Sequence, residues 1–304
     1  LNPTRPQAIA NLALARLMQD DCEGAAELAA QSLAASDAPD NASAVIVRLL
    51  ALARMDWSGN PADDIPANLV GTAQAALGLA EFHRWRQTDG FADTIAALAA
   101  LHPEHTELQR LGAFATLARV LEGPDQNRAH DARVAPDVLA RAADISLAGC
   151  EEQLAAERVD DVTLSAQANN TVLLLRLCDR EQEALDLIVR VFDRISLEPH
   201  LEHLYASLLG EVGRLDEALA YLATRETPAN QLLRAQMLNA QGKDSDAVAV
   251  LREMGVQDDS LEIQRCRLMA FYSLAAGDQA ALDDSIARLA AAGREALADV
   301  LAVC

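Results

Sequence analysis

Apolar residues return along this chain at three- and four-residue steps, and glycines, prolines or paired acids interrupt them. The pattern is plainest over residues 204–222. Tyr205, Leu208, Leu209 and Val212 fall on one face of a helix. Gly213 follows, a residue free to take the left-handed conformation with which helices close. Leu215, Ala218, Leu219 and Leu222 then mark a second apolar face. The stretch predicts two helices and the bend between them, with Ala218 small where the helices must approach. Such a hairpin leaves its own apolar face uncovered and needs neighbours on both sides.

The rest of the chain predicts those neighbours. Residues 6–36 predict a first hairpin. Pro6 suits a first helical turn, Ile9, Leu12, Ala13 and Leu17 share a face, and Asp20-Asp21 mark the bend. Ala25, Leu28, Ala29 and Leu33 line its second helix, and Ser36 to Asn41 is a connector of turn formers. Residues 41–55 predict a helix with little polar face, expected to be buried on several sides. Trp57 to Pro66 carries two prolines and a glycine and excludes a regular helix, so an irregular insert is expected over 56–66. Helices follow near 67–88, 91–101 and 106–121. Residues 123–136 are polar and bounded by Pro124 and Pro136, and predict a linker between an array over 1–122 and a second over 137–304. The second begins with helices near 137–156 and 160–178, runs regularly over 164–293, and ends in a capping helix at 294–303.

Certain of these residues carry a resemblance. Asn11-Leu12-Ala13, Asp20-Asp21, Ala25 and Ser32-Leu33 resemble the tetratricopeptide repeat, a 34-residue helix–turn–helix unit with a small residue early in its second helix. Ala184 and Ala218 stand 34 residues apart, as do Ala247 and Ala281. The step from Ala218 to Ala247 is 29 residues, so the helix ending near Thr227-Pro228 is expected to be short. Gly213, Gly242 and Gly277 fall at the bends, with Asp179 in the glycine's place one unit earlier. The units lack the family's leading tryptophan and have few terminal prolines. The resemblance implies an all-α fold, an α-solenoid of antiparallel helix hairpins wound as a right-handed superhelix. Leu1-Asn2-Pro3 matches the end of a preceding unit, and the chain is expected to be a piece of a longer protein.

Composition agrees with an all-α chain. Aromatics are 3% of the 304 residues, and alanine and leucine, both good helix formers, dominate. The net charge of −21, from 46 acids against 25 lysines and arginines, argues against nucleic acid and against an anionic membrane surface. It is compatible with a basic partner. Cys22, Cys150, Cys178, Cys266 and Cys304 are scattered and odd in number, which predicts free thiols in a reducing, cytoplasmic setting rather than a disulfide or metal framework. No phosphate-binding glycine loop, zinc-protease motif or nucleophile elbow occurs. His200 and His203 lie one turn apart, but no third metal ligand is identifiable. The paired acids Glu151-Glu152, Asp160-Asp161, Asp258-Asp259 and Asp283-Asp284 are read as helix starts, where the dipole favours them. No catalytic residue, metal or cofactor is therefore expected.

The resemblance further implies that the first helix of each unit lines a groove for a protein or peptide ligand. That face would carry Asn11, then Asn169, Asn170 and Arg176, then His200 and His203, then Gln236 and Asn239, then Cys266, Arg267 and Ser273. It is neutral to slightly basic although the whole chain is acidic, and its asparagines offer donor and acceptor together to a peptide backbone. The lysine-and-asparagine clamp that some relatives use for C-terminal carboxylates is not reproduced. A scaffold for protein–protein interaction is the leading reading. The alternatives are a substrate-selecting arm of a larger bacterial enzyme of glycosyltransferase or methyltransferase type, or a self-assembling module forming homo-oligomers.

Overall fold

In the computed structural model the described residues are 5–36, 41–121, 134–195, 198–255 and 258–294. Leu1-Asn2-Pro3, most of the expected linker at 123–136 and the expected capping helix at 294–303 lie outside them. The described residues form helices and no strand. They divide into two compact units, Leu1–Arg180 and Glu181–Cys304.

The first unit contains α1 (Pro6–Leu17), α2 (Cys22–Ala35), α3 (Ser43–Ala53), α4 (Ala73–Arg86), α5 (Phe91–Leu101), α6 (Thr106–Leu121), α7 (Pro136–Ala155) and α8 (Asp161–Leu177). Its bends and caps follow the chemistry read from the sequence. Asp20 closes the first bend at φ 61°, and the Asp21 carboxylate accepts from the backbone N–H of Gly24 to cap α2. Asp160 caps α8 in the same way, through Thr163. Helices α6 and α7, on either side of the expected linker, pack on each other. Glu151 and Glu152 do not start a helix. They sit in the last turn of α7, and Glu152 is held there by Arg110.

Neighbouring helices pack in sequence, and α1 with α3, α4 with α6, and α6 with α8 also touch. The row therefore changes from odd to even helices after α3, and residues 54–72 are the cause. They hold only a short 3₁₀ turn at Pro61–Asp64, and α4 starts at Ala73 rather than near 67. Gly71, at φ 83°, and the Thr72 cap set that later start. The insert stands where the second helix of α3 would be. Arg48 on α3 donates to Asp64 of the insert, at 2.7 Å, and to the carbonyl of Ala26 on α2. Without an intervening helix, α3 and α4 pack directly and in parallel. Arg54 lies over the Trp85 ring, Arg86 donates to the carbonyls of Met55 and Trp57, and Gly78 faces Ile46 and Leu49. A Cβ on Gly78 would stand 3.0 Å from Leu49 and 3.3 Å from the Ile46 backbone, so glycine permits this approach.

The second unit contains α9 (Glu181–Phe192), α10 (Pro199–Glu211), α11 (Leu215–Leu222), α12 (Pro228–Ala240), α13 (Asp244–Glu253), α14 (Asp259–Ala276) and α15 (Gln279–Ala291). Here the tetratricopeptide-like hairpins are regular: α10 with α11, α12 with α13, α14 with α15. Gly213, Gly242 and Gly277 close the first helices at φ 83°, 72° and 72°. The short helix expected before Pro228 is α11, of 8 residues. Ala184, Ala218, Ala247 and Ala281 are buried, as their spacing required. The first helices α10, α12 and α14 touch one another, whereas the second helices α11, α13 and α15 are not in comparable contact. This continuous row of first helices, α10 on α12 and α12 on α14, is called the inner row.

Ala218→Phe is expected to lower the stability of the folded chain by about 1–3 kcal/mol, because its site is fully buried and has no room for a ring. Ala220→Phe, on the exposed side of the same helix, should stay within about 0.5 kcal/mol of the parent. Urea unfolding of the two variants beside the parent measures the difference.

Candidate functional site

The inner row of the second unit holds an open recess of about 230 Å³. His203 of α10 forms one side. Ala229, Leu232, Leu233 and Gln236 of α12 form the floor, and Leu261, Gln264, Arg267 and Leu268 of α14 form the other side. Residues three, four and seven apart share a helical face, so each helix presents one continuous stripe. Three residues expected in the groove, His203, Gln236 and Arg267, are thus brought to one place.

His203 is oriented from below. Its Nδ1 lies 3.1 Å from Oδ1 of Asn230, a residue 1% exposed in the first turn of α12. With the amide oxygen as acceptor, this contact is donated by the ring N–H at Nδ1 and fixes the orientation of the imidazole. The Asn230 Nδ2 is buried and has no partner among the described residues. Thr227, which caps α12 by accepting from the Asn230 backbone N–H, fixes where this asparagine enters.

The charges around the recess are arranged unevenly. No aspartate or glutamate lines it. The helix forming its floor, α12, contains no acid at all. Arg267 is exposed and has no carboxylate or hydrogen-bond partner among the described residues. Arg265, two residues earlier, points the opposite way and is 7% exposed. It donates to Glu262 through Nε at 2.8 Å and to the carbonyl of Leu251 on α13 at 3.2 Å. The Arg265 hydrogen bonds hold the Glu262 carboxyl below its usual range. This pair pins α14 onto α13 and so sets the direction of the Arg267 stripe.

The remaining expected groove residues are dispersed. His200 is exposed at the start of α10, where it meets Glu198 at 3.4 Å. Asn239 lies at the far end of α12, and its amide donates to Asp244 at 2.6 Å across the bend to α13. Asn11 is exposed on α1 of the first unit. Asn169, Asn170 and Arg176 are half-buried on α8, with the two asparagine amides 3.5 Å apart. Cys266 and Ser273 are not on the groove face. They are 1% and 0% exposed and turn into the core between α14 and its neighbours. Burial, with Glu262 alongside, pushes the Cys266 thiol up to about 11, so it is no nucleophile at neutral pH. Among the described residues, no group of three or more histidines, cysteines or acids gathers as a metal site, and no helix is long and apolar enough to cross a membrane. Sequence reasoning did not reach Gln264 or Asn230. Gln264 lies three residues before Arg267 on the same face, so helical spacing alone would have found it. Asn230 has no such signal.

No known family model matches the chain, and no curated protein matches it. Among solved structures it is similar to a tetratricopeptide repeat protein from Parabacteroides merdae, at 13% identity and a TM-score of 0.41, over 87% of this chain and 98% of that one. It is also similar to a chain of the APC/C hetero-tetramer Cut9–Hcn1, at 11% identity and a TM-score of 0.32, over 98% of this chain and 71% of that one. The repeat architecture itself stands on the helix geometry described above.

Glu262→Gln is expected to destabilise the chain at pH 7 by about 1–3 kcal/mol, because Arg265 keeps a hydrogen bond but loses its counter-charge. A carboxyl whose folded pKa is lowered stabilises above its unfolded pKa, and that contribution is lost as pH falls through the folded value. The difference between parent and variant should therefore be full at pH 7 and shrink below about pH 4.5, the ordinary carboxyl range. Denaturation midpoints measured from pH 7 to pH 3 test this.

Proposed function

We propose that the protein is a non-catalytic interaction module that holds a segment of another protein along the inner row of its helix hairpins. The observation that carries this reading is the open recess on α10, α12 and α14, where leucines are combined with convergent polar groups and an arginine that has no partner among the described residues. His203, Gln236 and Arg267 contact the ligand there, with His200 and Asn239 at the margins of the same row. Asn11, Asn169, Asn170 and Arg176 serve the corresponding row of the first unit, where paired amides suit a peptide backbone. Among the described residues Cys22, Cys178 and Cys266 stand as thiols, which suits a reducing, cytoplasmic setting.

The test compares capture by the parent chain, by the triple variant His203→Ala, Gln236→Ala, Arg267→Ala, and by the double variant Asn169→Ala, Asn170→Ala. Each is immobilised in a native lysate and the bound proteins are quantified by mass spectrometry. Proteins retained by the parent should fall about tenfold on the triple variant, equivalent to about 1.4 kcal/mol, with helicity by circular dichroism unchanged. Undiminished capture by both variants would remove the inner row from consideration as the binding face.

A further inference from the structure

We propose that the recess of the second unit takes an internal segment of a partner that is both acidic and apolar. A carboxylate pairs with Arg267, the backbone meets the polar lining of the recess, and apolar side chains of the segment lie along Phe271 and Leu274. This deepens the interaction-module reading and rests on it.

Charge is the first argument. Elsewhere in this unit Arg214, Arg225, Arg252, Arg265 and Arg288 each hold a carboxylate, at 2.5–3.0 Å. Arg267 has none among the described residues; Arg234 on α12 and Arg294 have none either, but of the three Arg267 is the one that lines the recess. A ligand carboxylate there would displace no existing pair, and a guanidinium receives it through two parallel N–H donors. A basic segment, of the kind the net charge would suit, would bring its cation against Arg267 and find no carboxylate in the lining.

Apolar surface is the second. Phe271 is 50% exposed and Leu274 41% exposed. They stand four and seven residues beyond Arg267 and continue, outside the recess, the α14 stripe that carries Leu261 and Leu268. A ligand that satisfies only the arginine would leave this surface in water.

Polar placement is the third. His203, held at Nδ1 by Asn230, lines the recess, and Gln236 and Gln264 add amides able to donate and accept. These groups match the N–H and C=O of a peptide backbone. Among the described residues of the lining Arg267 is the one permanent cation, without the second that a chain-terminal carboxylate beside a side-chain carboxylate would need. The segment is therefore internal.

The experiment pans a phage-displayed library of random dodecapeptides on the full chain. Enriched sequences are then synthesised with acetylated and amidated ends and titrated by fluorescence anisotropy. Enriched peptides should carry aspartate or glutamate beside leucine or phenylalanine and bind with blocked ends. Their Kd should rise about tenfold or more on Arg267→Glu, rise severalfold on Phe271→Ala, and be restored only in part on Arg267→Lys, which keeps the charge and loses the paired donors. Arg294→Glu, an equal charge change on an exposed residue beyond α15, should leave it unchanged. Basic peptides that still depend on Phe271 would overturn this proposal and leave the groove reading standing. So would acidic peptides indifferent to Arg267 but dependent on Phe271. Peptides indifferent to both positions, or no enrichment at all, would overturn the proposal and the groove reading together.

Discussion

Close approach of helices at small side chains governs this protein. Ala218, Ala247 and Ala281 lie at or near zero exposure, each early in the second helix of a hairpin. In the first unit glycines do comparable work. A Cβ on Gly112 would stand 2.9 Å from the Ala99 Cβ across the contact between α5 and α6, and Gly78 serves the contact between α3 and α4. A larger side chain at any of these places would push two backbones apart. Each hairpin buries its apolar face only on its neighbours, so such a displacement would pass along the row. The core is accordingly a series of separate apolar pools, such as that of α12 to α14 and that between α14 and α15, rather than one centre.

The same constraint produces the candidate site. Because second helices carry the small residues and face inward toward their partners, the first helices are left with one stripe open. On α12 and α14 that stripe is occupied by glutamines, leucines and Arg267. Much of the acidity is engaged elsewhere. Asp160, Asp258 and Asp278 cap helices, and Glu202, Glu217 and Glu262 are held by arginines. A chain of strongly negative charge thus keeps one stripe whose described lining holds an arginine and no acid.

Much of this was legible in residue types. Gly213, Gly242, Gly277 and Asp179 were readable as bends because only a few residues tolerate the left-handed conformation. The 29-residue step foretold the eight residues of α11. The parallel pairing of α3 with α4 was not legible, since it depends on Arg54, Trp85 and Arg86 meeting across more than thirty residues. On α14 the misplacement of Cys266 and Ser273 has a simple cause. Leu268 to Leu274 is apolar almost all round, so periodicity does not separate the buried stripe from the open one. Packing against α13 and α15 decides between them, through contacts such as Arg265 with Leu251. Glu151 and Glu152 were misread because paired acids mark helix starts only on average, and Arg110 offsets the unfavourable end of the dipole.

The helix-free crossover from α3 to α4 sets where this scaffold tolerates new cargo. Ser58, Gly59 and Asn60 at its tip are exposed, while its fastenings, Asp64 on Arg48 and the carbonyls of Met55 and Trp57 on Arg86, lie to either side. Chain added at that tip would enter no helix seam. Each doubling of such a loop adds only about 0.6 kcal/mol of closure entropy. A foreign domain grafted there would ride on the hairpin stack without altering its pitch.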